Sequence, residues 1–114
     1  MQIVYYSLTG NCRRFAQKID RSAIALSDYA GGPFVLICPT HGFGVVPRAI
    51  KKFLNEHHDN CKFIISSGNR NWGENFAKAA DIISEKLNIE NYKIELAGND
   101  DDVDKVKQLL HVYR

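Results

Sequence analysis

Three short segments of this sequence carry hydroxyl, amide and glycine residues at a density that simple chain reversals do not require. Hydroxyl and amide groups exchange hydrogen bonds with a ligand, and glycine lets the backbone approach it closely. Each segment follows a short apolar run that predicts a β-strand, so each is expected to be a loop at a strand end. These first, second and third loops read Ser7-Leu8-Thr9-Gly10-Asn11, Pro39-Thr40-His41-Gly42-Phe43-Gly44 and Ser67-Gly68-Asn69-Arg70-Asn71-Trp72-Gly73.

The first loop has the groups that bind a phosphate. Ser7 and Thr9 offer hydroxyl donors, and Gly10 allows close backbone approach just before a predicted helix. The first N–H groups of a helix have no partner within it, and with the helix dipole they favour an anion without help from a lysine. The alternative interpretation is an ordinary Ser/Thr/Asn cap of that helix.

Other phosphate-binding motifs fit less well. The pattern GxxxxGK[ST] is absent, and Gly42-Phe43-Gly44 does not extend to GxGxxG because Pro47 stands at the third glycine position. None of the cysteines begins a phosphatase loop that ends in arginine. The first predicted strand ends in Tyr6 and Ser7, where a receiver domain would carry an acidic cluster.

The second and third loops suit a flat aromatic ring. Phe43 and Trp72 are placed to flank such a ring, and aromatic contacts of this kind stabilise a complex beyond the burial of area. Backbone amides for the polar edge of the ring come from Gly42, Gly44, Gly68 and Gly73. The alternatives are a hydrophobic plug for Phe43 and a helix staple for Trp72. His41 is a candidate for contact with the ligand or its proton path.

Other reactive side chains are interpreted as structural. Cys12 and Cys38 lie on apolar patterns and are predicted to be core residues. His57 and His58 are adjacent, so on a helix they face different ways and do not readily share a metal ion. We therefore predict no metal site.

Short apolar runs alternate with helical patterns along the chain. The strands are predicted at Ile3–Tyr6, Ala23–Leu26, Phe34–Cys38, Phe63–Ile65 and Tyr92–Leu96. Apolar stripes predict helices through Cys12, Phe15, Ala16 and Ile19; through Val46, Ile50, Phe53, Leu54 and His57; through Phe76, Ala80, Ile83 and Leu87; and through Val103, Val106, Leu110 and Tyr113. Asn99 is predicted to cap the last helix.

This alternation predicts a single α/β domain over residues 1–114. We expect a flavodoxin-like three-layer αβα sandwich with a five-stranded parallel sheet of order 2-1-3-4-5. In such sheets ligands bind beyond the carboxyl ends of the strands, at the switch point between the first and third. The three loops leave the predicted first, third and fourth strands at that edge.

Bulk composition argues against several function classes. The 114 residues carry a formal net charge of +2, too weak a basic excess for nucleic acid. No apolar run approaches the roughly 20 residues that span a bilayer, and the first residues do not resemble a secretory signal. The three cysteines form neither a disulfide framework nor a metal-binding pattern. We expect a cytoplasmic protein with no nucleic-acid or membrane partner.

The loops resemble those of a known family. Ser7-Leu8-Thr9-Gly10-Asn11 is similar to the S-x-T-G-N phosphate loop of flavodoxins. Gly42-Phe43-Gly44 with Val46-Pro47, and then the whole third loop, resemble the ribonucleotide-reductase-associated flavodoxins, the NrdI family. The similarity runs from Ile3 to about Leu110. The third loop is the specific signal, since the first alone indicates only a flavodoxin.

That resemblance implies a flavin mononucleotide (FMN) cofactor and a particular reaction. Members of the family bind FMN, react with dioxygen in the reduced state, and pass a superoxide- or peroxide-level oxidant to the dimanganese small subunit of class Ib ribonucleotide reductase. The oxidant builds the tyrosyl radical cofactor there, and a flavodoxin or flavin reductase would supply the electrons. By position, the phosphate would be held by Ser7, Leu8, Thr9, Gly10, Asn11 and Cys12. The ring would be held by Thr40, His41, Gly42, Phe43, Gly44, Ser67, Gly68, Asn69, Asn71, Trp72 and Gly73.

Charge supports this function over simple electron transfer. The three loops hold Arg70 and no carboxylate, and Arg13, Arg14 and Arg48 are close in sequence. Cations favour an anionic reduced flavin. Cys12, His41 and Val45 depart from the residues more usual in the family, which affects redox tuning more than FMN binding. Two alternatives remain open: a short-chain flavodoxin that donates electrons to another redox enzyme, and a flavodoxin-fold binding module without flavin.

Overall fold

Five parallel strands form a single sheet. The structure is a computed structural model that describes residues 1–40 and 45–111, apart from the side chains of Trp72 and Glu74. The strands are β1 (Gln2–Tyr5), β2 (Ile24–Ala25), β3 (Phe34–Pro39), β4 (Cys61–Gly68) and β5 (Glu90–Glu95). The helices are α1 (Asn11–Ile19), α2 (Arg48–His57), α3 (Lys78–Leu87) and α4 (Asp100–Leu110). The strand order β2-β1-β3-β4-β5 confirms the predicted topology.

Each face of the sheet carries its own apolar core. Side chains alternate between the two faces along a strand, so a strand covered on both faces reads as a continuous apolar run. Val4, Leu36 and Ile64 pair across β1, β3 and β4 and pack towards α2 and α3. Their strand neighbours, Ile3, Val35, Ile37 and Ile65, pack towards α1 and α4. The predicted αβα sandwich is confirmed.

The predicted apolar stripes of the first and last helices are buried as expected. In α1 the buried residues are Cys12, Phe15, Ala16 and Ile19. Asn99 caps α4: its side-chain oxygen accepts from the Asp102 N–H at 2.8 Å, and the Asp102 carboxylate accepts from the Asn99 N–H at 3.0 Å. This reciprocal capping box fixes where α4 begins. Tyr113, predicted on the same stripe, lies outside the described residues.

Two strands differ in length from the prediction. β4 continues beyond its apolar run, so Ser67 and Gly68 are strand residues paired with Ile94 and Glu95 rather than loop residues. Ladder hydrogen bonds on both sides hold this polar end of the strand in place. β2, in contrast, is only Ile24–Ala25.

The third helix also begins later than its stripe predicts. Phe76 lies before α3, because the backbone is left-handed at Ala77 (φ 49°) and has a positive φ of 55° at Gly73. A right-handed helix does not continue through such conformations. Ala79 takes a buried position on α3 instead. Among the described residues, no helix has the length and apolar character that crossing a bilayer requires.

Candidate functional site

The first and third loops and the start of the second leave one edge of the sheet. Because β1, β3 and β4 are parallel and adjacent, their carboxyl ends lie side by side. The chain passes from β1 to β2 on one side and then crosses to β3 on the other side of β1. A topological switch point therefore lies between β1 and β3, the position at which sheets of this kind bind ligands. The predicted location of the site therefore follows from the observed topology.

The first loop delivers an open helix end to this edge. Ser7 Oγ accepts a hydrogen bond from the Gly10 N–H at 3.0 Å, which folds the loop tightly. Gly10 has φ +91°, a conformation that favours glycine, and α1 begins at the next residue. Among the described residues, no side chain caps this helix and no acid occupies its first turn. Its first N–H groups are thus available to an anion.

Arg14 lies over this helix end. Its Nη2 donates to the Asn11 side-chain oxygen at 2.6 Å. A Cβ built on Gly10 would stand 2.7 Å from Arg14 Nη1, so the guanidinium covers the outer face of Gly10. From the sequence, Arg14 was expected to lie near the loops. In the structure its guanidinium lies beside Gly10 and Asn11 of the first loop.

Cys12 reaches the site only through its backbone. Its side chain is buried, and burial raises the thiol pKa to about 12, while a hydrogen bond with the Ser67 backbone opposes part of that rise. The predicted core role of this thiol is confirmed. An approaching anion meets the Cys12 N–H in the first turn of α1 rather than the sulfur.

A buried pair of hydroxyls joins Thr40, in the second loop, to β4. Thr40 Oγ1 lies 2.8 Å from Ser66 Oγ, and it accepts the Ala79 N–H at 3.2 Å. All three residues are buried. Ala79 is the second residue of α3, and Ala77 at the helix N-cap has no side-chain group that could accept its N–H. The Thr40 hydroxyl accepts that N–H instead and so caps the helix from the second loop. The Thr40 N–H also donates to the Ser67 carbonyl at 2.9 Å.

The third loop is packed tightly against the start of α3. A Cβ on Gly68 would lie 2.5 Å from the Ala77 nitrogen and 2.9 Å from its Cα, so only glycine fits without a backbone shift. Asn69 Oδ1 accepts from the Asn71 N–H at 2.9 Å. Ser67 Oγ donates to the Leu96 carbonyl at 2.5 Å and so ties the loop to the segment after β5.

The structure brings a carboxylate to the third loop, which the count of charges in the loops did not predict. Glu95, at the end of β5, accepts the Arg70 N–H at 3.1 Å, and its other oxygen lies 3.5 Å from Arg70 Nε. The Arg70 guanidinium also stacks over the Phe76 ring, 4.9 Å from its centroid. The expectation that no carboxylate lies beside these loops is therefore wrong, because the pairing of β4 with β5 places Glu95 next to Arg70.

Several predicted ring contacts fall outside the described residues. They are His41, Gly42, Phe43 and Gly44, together with the side chain of Trp72. Their roles stay predictions. Thr40 and Ser67, which flank them, use their hydroxyls within the protein.

Sequence reasoning missed Ser66 and Leu96. Ser66 is fully buried directly after an apolar strand run, and a hydroxyl that continues such a run was a signal that it has a buried partner. Leu96 follows β5 with φ 53°, unusual for leucine, and its side chain is 53% exposed. Ser66 is part of the buried hydroxyl pair with Thr40 near the ends of β3 and β4, and Leu96 is exposed at the same edge of the sheet.

The remaining candidate sites carry less chemistry. A groove of about 450 Å³ between α2 and α3 contains none of the residues of the first and third loops. His57 packs on the Tyr29 and Phe53 rings, whereas His58 Nδ1 lies 3.1 Å from the Leu54 carbonyl, so the two face different neighbours. In the described part of the chain, no three side chains are grouped to bind a metal ion.

Comparisons with known proteins agree with this geometry. A family model described as NrdI flavodoxin-like matches residues 3–108. A curated relative, Protein NrdI of Macrococcus caseolyticus (strain JCSC5402), is 45% identical in an alignment of 107 positions that covers 90% of this chain and 83% of that protein. A solved short-chain flavodoxin associated with a bacterial microcompartment superposes with a TM-score of 0.73 at 18% identity, covering 96% of this chain and 93% of the other. The last likeness concerns the fold alone.

Proposed function

This chain belongs to the NrdI flavodoxin-like family, and from that premise we propose that it binds FMN and makes an oxidant for a metalloprotein partner. Membership of this family implies flavin binding and a link to ribonucleotide reductase. The finer proposal is that the reduced protein converts dioxygen to a superoxide- or peroxide-level oxidant. That oxidant would serve assembly of the dimanganese-tyrosyl radical cofactor of class Ib ribonucleotide reductase.

The open N-terminus of α1 is the observation that carries this proposal. A phosphate monoester needs several convergent donors and a backbone it can approach closely. The first loop offers the Thr9 hydroxyl, which is exposed, and the free N–H groups that follow Gly10. The absence of an acidic side chain from this helix turn removes the usual competitor for those donors. The residues present therefore fit the phosphate of FMN.

The rest of the edge suits the flavin ring. Gly73 is exposed, so the main chain of the third loop is open to a ligand there, and the Thr40–Ser66 hydroxyl pair ties the end of β3 to β4 beneath it. A rigid, pre-formed pocket loses less entropy when the ring binds. When bound and fully reduced, FMN would carry two electrons, of which one takes dioxygen to superoxide and both take it to peroxide. This chain's contribution is to hold the ring at an edge where a partner can cover it.

Exposed apolar side chains mark that same edge as a protein contact. Leu8, Val45 and Leu96 are 54%, 54% and 53% exposed and are the most exposed large apolar residues in the described part of the chain. They follow β1, β3 and β5, and all three strands end at this edge. Clustered apolar exposure is typical of interaction surfaces. A partner docked here would keep a diffusible oxidant from escaping into solvent.

The first experiment tests the cofactor. We expect a yellow protein that releases one FMN per chain on heating, or that takes up FMN when reconstituted. Riboflavin is the matched ligand control, because it keeps the ring and lacks the phosphate. A protein that binds neither flavin would refute the proposal and favour the binding-module alternative.

The second experiment tests the reaction. The FMN-loaded protein is reduced without oxygen and mixed with the manganese-loaded small subunit of a class Ib reductase. Oxygen is then added, and the tyrosyl radical is measured by electron paramagnetic resonance. A radical that forms only with this protein supports the proposal. FMN binding with slow oxygen reaction and no radical would favour the electron-transfer flavodoxin.

A further inference from the structure

We infer that Arg14 binds the phosphate and makes this site select FMN over unphosphorylated flavin. The inference rests on the proposed FMN site. It adds a charged side chain to the phosphate contacts of the first loop, for which the sequence analysis invoked only neutral donors. Its basis is the position of the guanidinium, which is exposed but lies against Gly10 and hydrogen-bonds Asn11.

The geometry follows from the helix itself. Side chains of an α-helix point back towards its N-terminus, so a long residue in the second turn reaches the loop before the helix. Arg14 is the fourth residue of α1, and its own N–H makes the first helical hydrogen bond, to the Gly10 carbonyl at 2.9 Å. Its guanidinium ends beside the residues whose backbone N–H groups face an anion. A planar guanidinium donates two parallel hydrogen bonds to phosphate oxygens.

The charge of Arg14 is poorly placed unless an anion binds. The N-terminus of a helix carries a partial positive charge, so a cation there is repelled. In the described residues, Arg14 forms no ion pair, and its recorded side-chain partner is the neutral amide of Asn11. A dianionic phosphate would neutralise both the helix end and the guanidinium. Arg14 thus weakens the empty loop slightly and strengthens the loaded one.

Arg13 offers a matched control. It is exposed, carries the same charge and precedes Arg14 in the same helix. Consecutive helical residues point about 100° apart, so the two arginines do not share a direction. The variants are Arg14→Gln and Arg13→Gln, since glutamine has a helix propensity close to that of arginine. FMN and riboflavin affinities are measured by fluorescence quenching at low and high salt, and urea unfolding is measured without flavin.

We expect Arg14→Gln to weaken FMN binding by about tenfold, the effect of a hydrogen bond to a charged group. Riboflavin affinity should stay within about twofold, because the ring contacts are untouched. FMN affinity of the variant should depend less on salt than that of the parent. Without flavin, its urea midpoint should equal or exceed the parent's, and Arg13→Gln should leave the preference for FMN over riboflavin unchanged.

Three results would overturn the inference while leaving the FMN site intact. The first is a variant Arg14→Gln that binds FMN like the parent. The second is an equal loss of FMN and riboflavin affinity with a lower urea midpoint, which would indicate a structural role. The third is an equal effect of Arg13→Gln, which would indicate diffuse charge. A parent protein that binds no FMN would overturn the proposed function, and this inference with it.

Discussion

The substitution Thr40→Val tests whether one buried hydroxyl holds the end of β3 against β4 and the start of α3. Valine keeps the shape of threonine but neither donates nor accepts a hydrogen bond. In the parent, Thr40 Oγ1 accepts the Ala79 N–H at 3.2 Å and lies 2.8 Å from Ser66 Oγ. The substitution leaves both of these buried groups without that partner. The remaining recorded acceptor of Ser66 is the Ser67 carbonyl at 3.4 Å, a weak bond.

The expected cost follows from the number of orphaned groups. A buried donor left unpaired costs roughly 1–3 kcal/mol. One full loss at Ala79 and a partial loss at Ser66 give a decrease of about 3 kcal/mol in the free energy of unfolding. For a domain of this size that corresponds to a fall of roughly 10 °C in Tm. Urea unfolding, followed by circular dichroism, measures it.

Thr40→Ser is the matched control, because it keeps the hydroxyl and removes one methyl group. It should cost about 1 kcal/mol. Ser66→Ala combined with Thr40→Val should be less destabilising than the sum of the two single changes, since the double variant removes both hydroxyls of the pair. If Thr40→Val is no more destabilising than Thr40→Ser, the hydroxyl does not cap α3 and the reasoning fails.

Three further predictions concern the loops and the far side of the sheet. Thr9→Val should weaken FMN binding by roughly 1.5–3 kcal/mol without lowering the stability of the flavin-free protein, because Thr9 is exposed; unchanged affinity in a titration would place the phosphate elsewhere. Gly68→Ala should cost about 1–3 kcal/mol in urea unfolding, since its Cβ would meet the Ala77 backbone nitrogen at 2.5 Å, and unaltered stability would contradict that contact. Burial, and then the hydrogen bond to Asp102, raise the pKa of Tyr92 to about 12, so folding favours the neutral phenol. The resulting contribution to the free energy of unfolding is complete below the ordinary tyrosine pKa of 10.0 and is lost as the pH rises through 12. Tyr92→Phe should therefore reduce the loss of stability between these pH values, and parallel pH profiles for parent and variant would refute the assignment.

The order of strands and helices along the chain could be predicted because it depends on local patterns, and the general rule for such folds then gave the order of strands in the sheet. Continuous apolar runs for β3 and β4, and a helical stripe from Cys12 to Ile19, each report burial within one element. Asn99 likewise caps α4 by accepting the N–H of Asp102, which is only three residues away, so this role could be predicted from the local sequence. The rule that ligands bind at the switch point then converts the order of elements into a site location.

The missed features all depend on contacts between distant residues or on single backbone angles. The Thr40–Ser66 pair joins residues 26 apart, and the Arg70–Glu95 contact joins residues 25 apart. Both require the registers of β3, β4 and β5, which no local pattern specifies. The late start of α3 depends on the left-handed conformation of Ala77, which alanine adopts only when the surrounding structure imposes it.

The observed charges change the physical reason for expecting an easily reduced flavin at this edge. From the residues of the three loops, Arg70 was expected to be the cation that favours an anionic flavin ring. In the structure Glu95 lies 3.5 Å from Arg70 Nε and compensates the charge of Arg70. The favourable field must instead come from the first loop, where the uncapped end of α1 and the guanidinium of Arg14 stand together without a carboxylate in the helix turn. The phosphate dianion would neutralise most of that field. Among the described residues, what would remain for the ring is therefore the set of neutral main-chain donors in the third loop, which follows the strand that the Thr40–Ser66 hydroxyl pair ties to β3.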